Sequence, residues 1–565
     1  MCGIFSLFNI PNNFIKENEG YEKKYSDTIL DAFSKGSSRG PEHSTINTYI
    51  NIKAILGFHR LAINGLDENS NQPLLVNNKL LFCNGEIYNY KDIYNILGIK
   101  PTTNSDCEVI IHAYEKFGIE GCLNLLDGVF SFILIDSHVM HIARDPFGVR
   151  PLYMFEGSYF NSNNYNVEKF FGFSSEMKMI VPFNDITEIN SIKQFDPGSY
   201  RTFFFHQNNW MQVYDNRYIT VASYNSSTLN TLNLALDKIY ECLNNSVKKR
   251  VSTTDRPIAC LLSGGLDSSL IASLVSKYYK EEGKVLETYS IGLEGSVDLK
   301  YAKIVADYIG SKHNEIVVSE QEFLDAIPTV IETIESYDTT TIRASVGNYL
   351  IGKYISENSE AKVIFNGDGA DELCGGYMYF HAAPDMYNFD FECKRLLDNI
   401  SFFDVLRSDR CISSNGLEPR TPFLDKIFVE TYLSIDKNIR YKYHKEKCEK
   451  YLLRKAFDGK HVLPDEVLWR TKEAFSDGVS SNSRSWFEII QEHVDKNICD
   501  LSDFDKDITN YPDTKEKKYY RYIFHEYYTN KYDSNVVPYY WMPRFIEADD
   551  ASARTLDIYK EKNNQ

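Results

Sequence analysis

The second residue of the chain is a cysteine, and it could do chemistry. Methionine is ordinarily removed before a small second residue, and Cys2 would then carry its thiol beside a free α-amine. Such an amine, with a pKa of roughly 7.7–8.0, can take the thiol proton directly or through water and so activate the nucleophile. A second candidate is Leu261-Leu-Ser-Gly-Gly-Leu-Asp-Ser-Ser269, between a short apolar strand and a helix. Its glycines let backbone N–H groups face an anion, and the helix N-terminus favours negative charge. No Gly-Lys-Ser/Thr closes it, so it is not a Walker A loop. A third segment, Asn366-Gly-Asp-Gly-Ala-Asp-Glu372, also joins a strand to a helix. Carboxylates at two strand ends can share Mg²⁺, which prefers oxygen ligands and bonds to phosphate. Asp267 and Asp371 are the expected metal ligands, with Glu372 nearby.

These residues need a scaffold. Residues 2–205 read as mostly β, with strand composition over 54–63, 80–83 and 129–135. The spacing predicts a helix over 106–117. Ser105 and Glu108 would form its capping box, and Val109, Ile110, Ala113, Tyr114 and Phe117 one apolar stripe. Residues 206–230 are polar with few periodic signals and are the expected linker. In 231–565 the pattern changes: strands over 257–262, 286–293, 314–318 and 361–365 alternate with helices over 267–279 and 299–309. This alternation implies a parallel sheet that binds its ligand at the carboxyl ends of the strands.

Alone, a cysteine at position 2 carries little weight; its company downstream carries more. The chain continues with Arg39-Gly-Pro-Glu42, His59-Arg-Leu61, Asn84-Gly-Glu-Ile-Tyr-Asn89, Ser105-Asp-Cys-Glu108 and Arg144-Asp-Pro-Phe-Gly-Val-Arg-Pro-Leu-Tyr153. In order and spacing this series resembles the class II glutamine amidotransferase domain. The resemblance implies an N-terminal-nucleophile hydrolase with an αββα sandwich. It assigns an oxyanion hole to the Asn84 side chain and the Gly85 N–H, which a tetrahedral intermediate needs. It also implies a glutamine site built from Arg60, Leu61, Ala62, Ile63 and Asn64 with Glu86 and Asp106. Arg60 would grip the α-carboxylate bidentately, and Asp106 with Glu86 would hold the α-amine. The family commonly has Asp, Ser and Val where Glu42, Ala62 and Asn64 stand here. Arg144 and Asp145 read as turn supports.

The Leu261–Ser269 run resembles the pyrophosphate loop of enzymes that split ATP into AMP and pyrophosphate. Further runs are Asp338–Ser345, Glu418–Asp425, Lys450–Lys455, Leu463–Val479, Val537–Arg544 and Ser552–Leu556. Together they resemble the asparagine synthetase family over nearly the whole chain. That resemblance implies ATP, Mg²⁺, aspartate and glutamine as substrates and cofactors, with an internal ammonia tunnel, and it allows a homodimer. Leu261, Ser263, Gly264, Gly265, Asp267, Ser268, Ile291, Asn366 and Gly367 would bind ATP. Thr340, Thr341 and Arg343 would meet pyrophosphate or aspartate, and Lys472 would neutralise phosphate charge. Asp368 stands where the family typically has a glutamate implicated in handling the aspartyl-adenylate. Its reach is shorter by one methylene, roughly 1.5 Å.

Composition narrows the alternatives. At 565 residues the chain needs two or three domains. A net charge of −18 argues against a nucleic-acid surface. The eleven cysteines have no CxxC pairing, which reads as reduced thiols and a cytosolic protein. Cys83, Cys107, Cys260 and Cys374 lie in apolar runs as expected core residues. No apolar stretch reaches the ~18 residues of a membrane span. Phosphoribosyl and hexosamine-phosphate amidotransferases would lack the 261–269 loop, and β-lactam synthetases the N-terminal cysteine. A catalytically impaired regulatory homologue that senses glutamine or ATP is the alternative from another class.

Overall fold

The computed structural model describes residues 1–10, 21–161, 166–221, 224, 227–472, 475–481, 484–497, 504–505 and 507–552. Expectations for residues 473–474 and 553–556 lie outside them. The chain divides into two compact units. The first is Met1–Thr220 with Ser413–Leu417 and His525–Val536; the second is Val221–Ile412, Glu418–Phe524 and Val537–Gln565.

Among the described residues the first unit holds twelve strands: β1 (Gly3–Phe8), β2 (His43–Tyr49), β3 (Ala54–Arg60), β4 (Leu74–Val76), β5 (Lys79–Ile87), β6 (Gly128–Asp136), β7 (Val139–Arg144), β8 (Tyr153–Asn161), β9 (Asn166–Ser174), β10 (Glu188–Gln194), β11 (Ser199–His206) and β12 (Asn209–Arg217). They form two six-stranded antiparallel sheets, ordered β10-β8-β9-β1-β3-β2 and β12-β11-β7-β6-β5-β4. Ile4 and Phe8 from one sheet meet Phe82 and Ile133 from the other in a shared core. The stacked Phe171–Phe203 pair, 4.9 Å between ring centroids, adds about 0.5–1.5 kcal/mol beyond area burial. The helix Val109–Leu125 covers one outer face through Ile110 and Ala113, and Tyr21–Ser34 covers the other, with Phe33 against Phe5. This is the expected αββα sandwich.

Three local expectations need correction. Residues 209–217 lie in the expected linker but form β12, paired with β11. Only Trp210 points inward, so an edge strand with one wet face read as polar coil. Ser105 does accept from the Cys107 N–H at 3.3 Å, but Glu108 instead accepts from the Thr102 and Thr103 N–H groups, so no reciprocal box forms. Phe117 is 45% exposed because the helix kinks at Gly118, which has φ +69°.

The second unit is built on β13 (Ile258–Leu261), β14 (Glu287–Leu293), β15 (Lys312–Val318), β16 (Val363–Phe365) and β17 (Glu418–Arg420). All pair in parallel, in the order β15-β14-β13-β16-β17. The order reverses direction between β13 and β16, which opens a crevice beyond their carboxyl ends. The loops leaving those two strands are the Gly-rich segments at 262–265 and 366–369. The ten described cysteines are free thiols, and Cys83, Cys107, Cys260 and Cys374 are buried. Among the described residues no helix is long and apolar enough to cross a membrane.

Candidate active sites

Cys2 is half-buried at the start of β1. Its N–H donates to Asn84 Oδ1 at 3.2 Å, its carbonyl accepts from Arg39 Nε at 2.9 Å, and its thiol lies 3.7 Å from the Leu61 carbonyl. Asn84 is fully buried on β5, and its Nδ2 has no protein partner. Leaving a buried donor unmade costs about 1–3 kcal/mol. A developing oxyanion beside the thiol would recover that cost. Glycine at 85 is required by packing, since a Cβ would sit 2.4 Å from the Val129 carbonyl.

The segment 61–64 is buried beside the thiol. Glu42, in place of the usual aspartate, reaches the Ala62 N–H at 2.7 Å. Asn64, in place of the usual valine, donates to Glu86 Oε2 at 2.5 Å. Asp106 accepts from the Ile87 N–H at 2.6 Å. Arg60 departs from expectation. Its guanidinium donates to the Asn64, Gly65 and Asp67 carbonyls and to Asn71 Oδ1, because a buried guanidinium must satisfy its donors locally. It clamps the loop rather than presenting an open fork. Arg144 and Asp145 do what the sequence suggested, bonding the 147–150 turn and the Phe195 carbonyl.

In the second unit one cavity lies over β13 and β16. Leu261, Ser263, Gly265, Asp267, Ser268, Ile291, Thr340, Asn366, Gly367, Asp368, Asp371 and Lys472 all line it. The first loop is tied by Ser263 Oγ to Ser268 Oγ at 3.0 Å, and the helix Leu266–Glu281 starts from Gly265. Gly264 is absent from the wall. It turns the chain at φ +73° where a Cβ would strike Ala302. The two loops touch, since a Cβ on Gly367 would lie 2.7 Å from the Ser268 nitrogen.

Charge is concentrated here. The Lys450 ammonium sits between Asp267 (2.5 Å) and Asp371, and Lys472 reaches the other oxygen of Asp371 at 2.7 Å. Burial pushes the Asp371 carboxyl up, but the two ammonium groups outweigh it and hold it below the usual range. Asp371 is therefore engaged by two lysines rather than open to a metal. Asp267 Oδ1 is buried without a partner and suits a hard cation. Asp368 pairs with Arg407 at 3.1 Å, and its Oδ2 has no partner. Burial, reinforced by the Asp404 carboxylate and opposed by Arg407, pushes its pKa up to about 6.

Besides Gly264, two expected ligands are not in the wall. Thr341 is held by the helix cap, its N–H and hydroxyl both donating to Asp338 Oδ2. Arg343 is buried between Glu516 and Asp550, with a forked pair to each carboxylate. Thr340 does face the cavity, and its hydroxyl lacks a partner.

Residues 1–218 match the glutamine amidotransferase domain family, and residues 238–397 and 388–537 match the asparagine synthase family. Asparagine synthetase [glutamine-hydrolyzing] of Gallus gallus is 40% identical over 588 residues, covering 99% of each chain. The Rattus norvegicus protein of that name is 39% identical over 591 residues and the Homo sapiens protein 40% over 592, again with 99% of each chain covered. The chain belongs to the glutamine-hydrolysing asparagine synthetase family.

Within that family frame, sequence reasoning overlooked Lys450, Arg407, Asp404 and Tyr377, all of which line the cavity. Lys450 opens the 450–455 run, but nothing local marks a lysine that will face two aspartates. Asp404 and Arg407, three residues apart on the helix Asp404–Ser413, look in sequence like an ordinary surface pair.

Proposed function

We propose that this synthetase makes asparagine from aspartate, ATP and glutamine, releasing AMP, pyrophosphate and glutamate. The Cys2 thiolate attacks the glutamine side-chain carbonyl. The oxyanion lies against Asn84 Nδ2 and the Gly85 N–H. Collapse expels ammonia and leaves a γ-glutamyl thioester, which water hydrolyses to glutamate and free thiol.

In the second unit Leu261 and Ile291 flank adenine, Asn366 and Gly367 lie near the ribose, and the Ser263–Ser268 turn takes the phosphates. Aspartate's β-carboxylate attacks the α-phosphorus and expels pyrophosphate, whose charge Lys450 and Lys472 neutralise. Asp267 would hold Mg²⁺ through Oδ1, where the ion neutralises phosphate charge. Ammonia then attacks the acyl carbon of β-aspartyl-AMP, a nitrogen proton passes to Asp368 Oδ2, and AMP leaves. The observation that carries this reading is the convergence of Lys450 and Lys472 on the aspartates of two strand-end loops. Purified protein given aspartate, MgATP and either glutamine or ammonium should form asparagine and AMP in equal amounts. Glutamate without AMP would reject the synthetase half.

A base with a pKa of about 6 makes a signed prediction. Asparagine formed per glutamate formed should fall as pH drops through about 6, because protonated Asp368 can no longer accept a proton. Asp368→Asn should give a low ratio at every pH, with glutamine hydrolysis intact. A wild-type ratio that stays flat down to pH 5 would rule out the base role.

A further inference from the structure

The runs at 537–544 and from Ser552 onward take no part in the chemistry above. Residues 537–552 contain neither helix nor strand. Ordering such a segment costs backbone entropy, so specific anchors must hold it. The anchors lead to the cavity. The Trp541 N–H donates to Asp338 Oδ1 at 2.8 Å. The other oxygen of that buried carboxylate caps the helix Thr339–Asn358, whose first turn carries the cavity-facing Thr340. The Trp541 ring packs 5.1 Å from the Tyr377 ring, and Tyr377 donates to Glu372 at 2.5 Å while lining the same cavity. Further along, Asp550 forks onto Arg343 of that same helix at 2.7 and 2.9 Å. Behind it, Ser552 Oγ donates to Asp477 at 2.8 Å.

We propose that the cavity wall carrying Thr340 and Tyr377 is its aspartate side and that residues 537–552 form a positioning strap for it, with Asp550 on Arg343 as the latch and Trp541 as the inner contact. The proposal rests on reading this cavity as the synthetase site. These anchors of the strap fall on Asp338, Tyr377, Arg343 and Asp477. It sets Thr340 through the helix cap and Tyr377 through ring packing. Trp541 and Asp550 are thus positioning residues, acting through side chains that face the cavity. This also gives Arg343 its place: it anchors the strap instead of binding substrate.

The test compares the wild-type enzyme with Asp550→Asn, Asp550→Glu and Trp541→Leu. Asp550 is 22% exposed, so its substitution opens no core void. In Asp550→Asn the KM for aspartate should rise about tenfold, the scale of one lost charge-assisted hydrogen bond, with KM for ATP and ATP-free glutamine hydrolysis unchanged. Asp550→Glu should recover most of the effect, and Trp541→Leu should reproduce it. Backbone amide exchange should quicken over 339–345 and 537–552 alone. An unchanged aspartate KM in an active enzyme would overturn the strap and leave the synthetase reading standing. So would exchange that quickens throughout the unit, which would mean general destabilisation. A wild-type protein that makes no asparagine or AMP would overturn the synthetase reading and the strap with it.

Discussion

Cys2→Ala should lose glutamine-dependent asparagine formation by about 10⁴-fold or more, since no other group replaces the nucleophile, and keep the ammonium-dependent reaction. The split arises from where the chemistry sits. The thiol, its Asn84 partner and the segment 61–64 lie in the first unit, whereas every residue lining the adenylation cavity lies in the second. Glutamate release, measured alone, should vanish with the thiol. AMP formation with aspartate and ammonium should remain close to wild type. Because the mechanism needs the Cys2 α-amine, the intact mass of the active enzyme should correspond to loss of Met1. Loss of both nitrogen routes in the alanine variant would mean that the thiol supports structure rather than glutamine hydrolysis.

The second large effect is expected at Lys450. Replacing it with methionine keeps much of the stem's volume but removes the charge between Asp267 and Asp371. Breaking a buried pair from one side typically costs 3–5 kcal/mol, about that much here, because a carboxylate is left uncompensated. The direction with pH is fixed by Asp371, whose carboxyl is held below its ordinary range in the folded protein. The stabilisation is present above the ordinary carboxylate pKa and is lost as pH falls below it. The difference between wild type and Lys450→Met should therefore be full at pH 7 and shrink below about pH 4. Denaturant unfolding followed by tryptophan fluorescence suits the purpose, since three of the four tryptophans, Trp469, Trp486 and Trp541, lie in the second unit. AMP formation should fall as well, and a variant as stable and active as wild type would show that Asp267 and Asp371 do not depend on this lysine.

Much of this protein can be read from local sequence because the information is local. Strand runs and the helices between them announce themselves by hydrophobic period, and β14 starts within one residue of its expected position. The glycine turns at 262–265 and 366–369 come from backbone geometry and neighbouring elements alone. Cys2, Asn84, Asp267 and Asp371 stand out because each sits in a run whose order carries the family resemblance. What local sequence misjudges depends on partners far along the chain. Arg343 looks ready for an anion, yet Glu516 and Asp550, 173 and 207 residues away, take its donors. Arg60 looks like a carboxylate fork and clamps its own loop. Lys450 gives no sign that it will meet Asp267, 183 residues earlier. β12 passes for a linker because only one of its side chains is buried, and that requires knowing which sheet it edges. Local sequence announces most of the elements and the chemical groups that stand at their ends. Which charges are already paired is settled in three dimensions, because a buried ion finds its partner through space, and that pairing sets which groups remain free to meet a substrate.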